Sequence, residues 1–300
     1  MPIRFWFSTV FCCMMACQAD ESVTVPPGFD WQGHRGCRGL MPENTIPAFL
    51  KALEFEAVTT LELDLAVSAD GRLVLSHEPW FYAPITTLPG GAPLEETAEE
   101  QHLLFRLTAE EIRRYDVGIR PHPRFPQQKR TPACKPTLQE VVDTVRAVSP
   151  ERAAHIGWNM EIKSRPEWDG DKTPPVDSFA RLVVAFLQKN QLTEQTTVQS
   201  FDVRALQAVR KIAPQIRLVL LVENNRTLEE NLSDLGFVPA VYSPDHTLVN
   251  QKLVQQCREK GLKLIPWTIN EVPDMRRLIR LRVDGIITDY PDRLSAVGSR

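Results

Sequence analysis

The chain has 300 residues, a formal net charge of −3, 43% hydrophobic residues and 24% charged residues. It is too long for a small stapled module and short for two large domains, and it fits one α/β barrel of about 250 residues with a leader. The charge balance gives no basic footprint for nucleic acid, whereas an anionic small molecule stays compatible because local charges in a cleft decide its binding.

Residues 1–19 read as a leader. Phe5–Ala16 is an apolar run behind Arg4, too short to cross a bilayer and suited to a secretory signal. Two cleavage sites compete. Met14-Met15-Ala16-Cys17 resembles a bacterial lipobox with an atypical Met15; it would end the leader at residue 16 and leave Cys17 as a lipidated first residue. Cys17-Gln18-Ala19 offers the alternative cut after Ala19. Either way the expected product is exported, periplasmic or membrane-anchored, with Cys17 as its only membrane attachment. The remaining cysteines, Cys37, Cys134 and Cys257, are odd in number and match neither a disulfide framework nor a zinc site. Residues 20–28, with Pro26 and Pro27, are a linker, and 29–298 form one domain.

Trp31–His34 is a brief strand ending in Arg35-Gly36. Asn44 is expected to cap a helix whose apolar positions Ile46, Phe49, Leu50, Leu53 and Ala57 follow the 3.6-residue period, with Pro47 tolerated in its first turn. In the strand Thr59–Val67, Leu61, Leu63 and Leu65 face one way and Glu62 and Asp64 the other. Buried carboxylates need a metal or a partner. Asp70-Gly71 then signals a hairpin. A two-residue turn there pairs Ala69 with Arg72 and sets Asp64 opposite His77, at the end of the returning strand Leu73–His77. Residues 78–136, with nine prolines and Gly90-Gly91, read as an insertion over one end of the fold. It holds one helix, Leu107–Tyr115, opened by the capping box Thr108-x-x-Glu111.

A second box, Thr137-x-x-Glu140, opens a helix to Ala147. Strands then alternate with helices: strands His155–Lys163, Thr196–Ser200, Arg217–Val222, Ala240–Tyr242, Lys263–Thr268 and Gly285–Thr288, and helices Asp177–Lys189, Val203–Ala213, Leu228–Leu235, Thr247–Lys260 and Val272–Leu281. Such alternation implies a parallel sheet covered by helices. The number of units favours a closed TIM-type (β/α)8 barrel over an open sheet, and no Gly-rich dinucleotide or Walker loop is present.

Polar residues gather where strands end: His34-Arg35, Glu62-x-Asp64, Glu161-x-Lys163, Ser200 and Trp267-x-x-Asn270. In a barrel those ends form the active face. Glu62, Asp64 and Glu161 suit a hard divalent cation, against the plainer reading of salt bridges to Arg35 and Lys163. Arg35 and Lys163 match a phosphate oxyanion, and His34 and His77 can serve as general base and acid. His102, His122 and His246 lie in polar, loop-like settings and read as solvated; His155 starts a strand at the far end.

The ordered set Gly33-His34-Arg35-Gly36, Pro42-Glu43-Asn44-Thr45, Glu62-x-Asp64, Asp70-Gly71, His77, Glu161-x-Lys163, Ser200-Phe201, Trp267-Thr268-Ile269-Asn270 and Thr288-Asp289-Tyr290-Pro291 resembles the glycerophosphodiester phosphodiesterase family from Trp31 to Leu294. Two positions depart from its pattern, Cys37 in place of a small residue and Glu78 in place of aspartate. The resemblance implies a TIM barrel, a divalent metal (calcium or magnesium), and hydrolysis of glycerophosphodiesters to sn-glycerol 3-phosphate and an alcohol. It implies His34 and His77 as the acid/base pair, Glu62, Asp64 and Glu161 as metal ligands, Arg35 and Lys163 as phosphate contacts, and Trp267 as an aromatic near the glycerol or phosphate. Packing beneath the site accounts for Trp267 equally well. The role of Glu43 is open. The alternatives are a related barrel lyase ending at a cyclic phosphate and a lipoprotein binding module without turnover.

Overall fold

The computed structural model describes residues 23–298. The leader, both cleavage sites and the first residues of the linker lie outside that range. The chain opens with β1 (Asp30–Gly33) and β2 (Thr60–Val67), followed by β3 (Leu73–Leu75), antiparallel to β2. Then come β4 (Gly157–Ile162), β5 (Thr196–Ser200), β6 (Arg217–Val222), β7 (Val241–Pro244), β8 (Lys263–Leu264) and β9 (Gly285–Thr288). All but β3 run parallel, in the order β8-β7-β6-β5-β4-β2-β1-β9.

Backbone bonds join the two ends of that order. Asp284 N donates to Leu264 O at 2.9 Å, Ile287 N to Pro266 O at 3.0 Å and Ile269 N to Ile287 O at 2.9 Å. They draw the segment after β8 against β9, and the eight strands close into the expected barrel. β8 is shorter than the sequence indicates because Pro266 has no N–H to give a ladder.

The main helices lie outside: α1 (Ile46–Leu53), α2 (Ala109–Ile112), α3 (Leu138–Val148), α4 (Pro150–Ala153), α5 (Val176–Lys189), α6 (Val203–Ile212), α7 (Leu228–Leu235), α8 (Gln251–Glu259), α9 (Val272–Leu281) and α10 (Leu294–Val297). Both foreseen capping boxes form at α2 and α3. A third, Thr227 with Glu230, opens α7. α8 starts later than expected, where Asn250 Oδ1 accepts from Leu253 N at 3.0 Å.

Strand alternation divides the interior into two layers. Leu61, Leu63, Leu65, Met160, Ile162, Val198 and Leu220 face outward and share one core with the buried faces of the helices. Inside the barrel, Val219, Val241, Ile265 and Ile287 fill one half. The other half is polar. Asn159 Nδ2 donates to Gln32 Oε1 and Gln199 Oε1 at 2.8 and 2.9 Å, and Gln199 Nε2 donates to Glu62 Oε1 at 2.7 Å. These amides lie beneath the carboxylates and hold Glu62 in place.

Residues 78–136 carry α2 and three short 3-10 turns. Their apolar residues Phe81, Leu94, Leu104, Ile112 and Tyr115 form a second cluster that includes Ala66 of β2 and Val74 of β3. Ala66 and its partner Val74 lie on the face of the hairpin that Glu62 and Asp64 share, so the segment is seated on that face and not on the helix-covered one.

Two expectations are corrected. The hairpin register pairs Leu65 with Leu75 and Val67 with Leu73, so the residue opposite Asp64 is Ser76, whose N–H reaches Asp64 O at 3.0 Å. The loop has three residues, Ala69-Asp70-Gly71, with Gly71 at φ 75°, the left-handed position that a type I turn with a glycine bulge requires. β3 stops at Leu75, so the alternation no longer dictates where His77 points. Asn44 is not a cap. Thr45 stands at that position, and Asn44 itself has φ 54° and turns its amide toward Asp64.

Candidate active site

β1 ends in a turn that only small residues permit. A Cβ on Gly36 would stand 2.7 Å from the Ala48 backbone, and the residue has φ 81°. Arg35, at φ 51°, adopts a conformation uncommon outside glycine. It is held there by its N–H to Glu62 Oε2 at 2.8 Å and by Asn44 N, which donates to Arg35 O at 3.1 Å. The turn sends His34 and Arg35 over the C-terminal mouth of the barrel.

The three carboxylates meet there. Asp64 and Glu161 are register partners on β2 and β4. One oxygen from each of Glu62, Asp64 and Glu161 lies within 4.8 Å of the others, and all three residues are buried. Burial and the charge of Asp64 hold the Glu62 carboxyl well above its ordinary range. Burial pushes Glu161 up to about 7, with Lys163 opposing and Asp64 reinforcing. For Asp64 burial acts upward too, but the Lys163 and Arg35 charges outweigh it and hold the group well below its usual range.

Asp64 Oδ1 is buried and has no hydrogen-bond donor, only an ion pair with Lys163 Nζ at 3.3 Å. An all-oxygen triad whose crowding raises the Glu62 and Glu161 carboxyls, with an unsatisfied lone pair on Asp64, fits a hard divalent cation. Asn44 Nδ2 donates to the other oxygen, Asp64 Oδ2, at 2.8 Å and fixes the carboxylate's orientation.

Two cations flank the triad. Lys163 Nζ stands 2.9 Å from Glu161 Oε1. Arg35 Nη1 donates to Glu43 Oε1 at 2.8 Å, and its Nε lies 3.1 Å from Asp64 Oδ2. Glu43 acquires a place in this frame: it lies 3.8 Å from Arg38 Nη1 and 3.6 Å from His122 Nε2. Burial would raise Glu43, but Arg35, the His122 hydrogen bond and Arg38 hold it well below the carboxylate range. His122 is therefore not solvated as its sequence setting indicates; it is 5% exposed and brings the insertion to the back of the arginine pair.

The two histidines face the same cleft, which has a volume of about 880 Å³. His34 Nδ1 is 2.6 Å from Asp289 Oδ1, at the end of β9. Asp289 also accepts from Arg38 Nε at 2.9 Å, Arg38 Nη2 at 3.1 Å and Asn270 Nδ2 at 2.9 Å. A carboxylate accepts only, so Nδ1 carries the proton and Nε2, 3.9 Å from Glu62 Oε2, is the free base. Burial and Arg38 lower His34 to about 4, with Asp289 opposing. Asp289 itself is driven below its usual range, because His34 and Arg38 outweigh the burial that would raise it.

His77 Nδ1 makes a similar contact with Glu78 Oε1 at 2.6 Å. Burial, Arg35 and Lys163 depress its pKa, against Asp64 and Glu78. Trp267 is half-buried on the opposite wall, its Nε1 donating to Ser243 O at 2.9 Å.

The structure thus brings together all eight residues singled out in the sequence: His34, Arg35, Glu62, Asp64, His77, Glu161, Lys163 and Trp267. Arg38, Gln199 and His122 were not foreseen, and Asn44 and Asp289 stood in the family-like motifs Pro42-Glu43-Asn44-Thr45 and Thr288-Asp289-Tyr290-Pro291 without a role being given to them.

A (β/α)8 barrel carrying a carboxylate triad, two cations and two acceptor-backed histidines at the C-terminal mouth defines an enzyme of phosphate-ester chemistry. The sequence profile of the glycerophosphoryl diester phosphodiesterase family matches residues 34–293, and the chain belongs to that family. A glycerophosphodiester phosphodiesterase of Caldanaerobacter subterraneus subsp. tengcongensis is 29% identical over 261 residues, 87% of this chain and 94% of that protein. A glycerophosphoryl diester phosphodiesterase structure from Silicibacter pomeroyi superposes with a TM-score of 0.80 at 29% identity, covering 91% of this chain and 94% of that one. An Oleispira antarctica phosphodiesterase, in complex with the product sn-glycerol-3-phosphate, shares the fold at a TM-score of 0.69 and 20% identity, over 91% and 96% of the two chains.

Proposed function

We propose that the chain hydrolyses glycerophosphodiesters to sn-glycerol 3-phosphate and an alcohol with the help of one divalent cation, calcium or magnesium. The observation that carries the reading is the meeting of the carboxylate triad, Arg35, Lys163 and both histidines at one barrel mouth, in a member of this family. Glu62, Asp64 and Glu161 would hold the cation, which supplies Lewis-acid neutralisation of phosphoryl charge.

The remaining steps belong to side chains. Arg35 and Lys163 face the phosphodiester and offset the charge that grows on it. His34, neutral and with Nε2 free, takes the proton of the attacking oxygen, and Asp289 stabilises the imidazolium that results. His77, entering the step as the imidazolium that Asp64 and Glu78 favour, gives its Nε2 proton to the departing alkoxide as the phosphorus–oxygen bond breaks and is left neutral with Nδ1–H on Glu78. Trp267 supplies a wall of the cleft.

Release of glycerol 3-phosphate from several glycerophosphodiesters, with calcium and magnesium compared, tests the reading. Phosphorus NMR during turnover separates it from a lyase, since a cyclic phosphate that accumulates without monoester is incompatible with hydrolysis. The proposal extends to an exported enzyme on the strength of the Phe5–Ala16 run alone. Mass spectrometry of the mature N-terminus checks this: a lipidated Cys17 or an Asp20 start supports export, and an intact Met1 contradicts it.

A further inference from the structure

β3 ends at Leu75, so no strand ladder fixes the loop that carries His77. Ser76 fixes it instead. Its N–H reaches Asp64 O at 3.0 Å, and its hydroxyl donates to Glu78 O at 2.5 Å. The Glu78 carboxylate in turn accepts from His77 Nδ1 at 2.6 Å. His77 and Glu78 line the cleft, whereas Ser76 is fully buried.

A cation from the insertion completes this arrangement. The end of the insertion runs beside β3: Val74 bridges to Thr137, and Leu75 N donates to Pro136 O at 2.9 Å. That register sets Lys135 next to Ser76, and Lys135 Nζ donates to Ser76 Oγ at 2.7 Å. The ammonium forms no ion pair among the described residues. Its other neighbour is the buried Phe81 ring, whose centroid lies 5.5 Å from Nζ. Burial pushes Lys135 down to about 8, with Glu43, Glu78 and Asp64 opposing and Arg35 reinforcing. A charge held without a counter-charge costs stability, and the mechanism above makes no use of it.

We infer that Lys135 is a positioning residue for His77, acting through Ser76 Oγ and the Glu78 carbonyl to hold the His77–Glu78 pair in line with the departing oxygen. The inference rests on the role of His77 as proton donor proposed above. Its physical basis is directionality. An ammonium only donates, so Ser76 Oγ must accept from it, and the single hydroxyl proton is left for the Glu78 carbonyl. Without the ammonium the hydroxyl is free to rotate, and the Glu78 peptide loses its fixed donor. The carboxylate that orients His77 Nδ1 is then less well placed. Geometry of this kind matters to rate, since a 1 Å misplacement caused outside the chemistry can cost about 10²-fold.

The test compares Lys135→Met with the parent, both as metal-loaded mature enzyme, on two glycerophosphodiesters. One releases an alkyl alcohol, whose alkoxide needs a proton in order to leave. The other releases p-nitrophenolate, which leaves without one. On the alkyl ester kcat should fall about tenfold, a part of what acid catalysis supplies, while KM changes by no more than about threefold. On the p-nitrophenyl ester kcat should stay within about twofold of the parent. The variant should melt no earlier than the parent, because methionine replaces a cation that has no ion-pair partner. In a His77→Ala background the same substitution should have no further effect, as expected of residues that act through one another. Ser76→Ala removes the acceptor and keeps the cation; it should repeat the leaving-group pattern and decides the matter if Lys135→Met does not fold.

Equal losses on the two esters would overturn the inference, as would alkyl-ester turnover within about twofold of the parent. So would a loss that adds in full to that of His77→Ala, or a uniform loss with a lowered Tm, which would make Lys135 a structural residue. If His77→Ala itself slows both esters alike, the proposed proton donor is the assignment that fails.

Discussion

Replacing Asp289 by Asn separates charge from shape at the partner of His34. Four donors converge on the carboxylate, from His34 Nδ1, Arg38 Nε, Arg38 Nη2 and Asn270 Nδ2. An amide offers one acceptor oxygen in place of two. If its NH2 turns to His34, the imidazole must shift its proton to Nε2, the nitrogen that has to accept one. If it turns the other way, Arg38 Nη2 and Asn270 face a donor, and in both cases the buried Arg38 charge loses its closest counter-charge.

In the serine-protease triad the same carboxylate-to-amide change behind the histidine lowers kcat by about 10⁴, and acid–base assistance in general contributes about 10²–10⁴. Asp289→Asn is therefore expected to lower kcat by about 10²–10⁴ while KM changes by no more than about threefold, since ground-state contacts stay in place. Breaking a buried charge pair from one side costs about 3–5 kcal/mol, so the variant should also melt earlier.

The pH dependence has a definite sign. The Asp289 pKa is depressed in the folded protein, so its stabilisation is complete above the unfolded value of about 3.9 and is lost as pH falls through the folded value. The Tm gap between the two proteins should be wide at neutral pH and narrow only below about pH 4. Steady-state kinetics and thermal melts from pH 3 to neutrality read both effects. Turnover within about twofold of the parent, or a Tm gap that widens in acid, would refute the reasoning.

His77→Ala should lower kcat by about 10² or more, read by glycerol 3-phosphate release; a rate near the parent's would remove it from proton transfer. Chelation should abolish activity, and Glu62→Gln should weaken divalent-metal binding in calorimetry; full activity after exhaustive chelation would reject the metal. With saturating divalent cation, so that protonation of Glu161 does not limit the rate, the acid limb of kcat/KM should lie well below the ordinary histidine value of about 6.5, in the direction in which burial and Arg38 move His34, because a base is lost as pH falls through its pKa; a limb that stays near about 6.5 at every metal concentration would locate the base elsewhere. Gly36→Ala forces a Cβ to 2.7 Å from the Ala48 backbone at φ 81° and should cost more than about 2 kcal/mol of stability by chemical denaturation, whereas an unchanged midpoint would contradict that strain.

The barrel was legible because its cause is local: each βα unit shows its own change from period two to period 3.6. The same alternation placed Glu62 and Asp64 on one side of β2, and strand ends supplied Lys163 and Trp267. What stayed hidden depends on contacts distant in sequence or on backbone geometry. Arg38 and Asp289 are 251 residues apart, and neither residue alone announces the other. Asn44 carries the signature of a helix cap, yet its left-handed backbone points the amide at Asp64. Asp70-Gly71 serves two-residue and three-residue loops alike, and the wrong choice displaced the hairpin pairing by one. Nothing in a proline-rich segment foretells that His122 will support Glu43.

The bond between His34 and Asp289 spans 255 residues, joining the first barrel strand to the last. The proposed general base is thus oriented across the seam at which β1 pairs with β9. Under the proposed mechanism the tautomer of the proton-accepting imidazole is therefore set by the last strand, so any displacement of β9 from β1 would reach the chemistry directly, however far from the cleft it began.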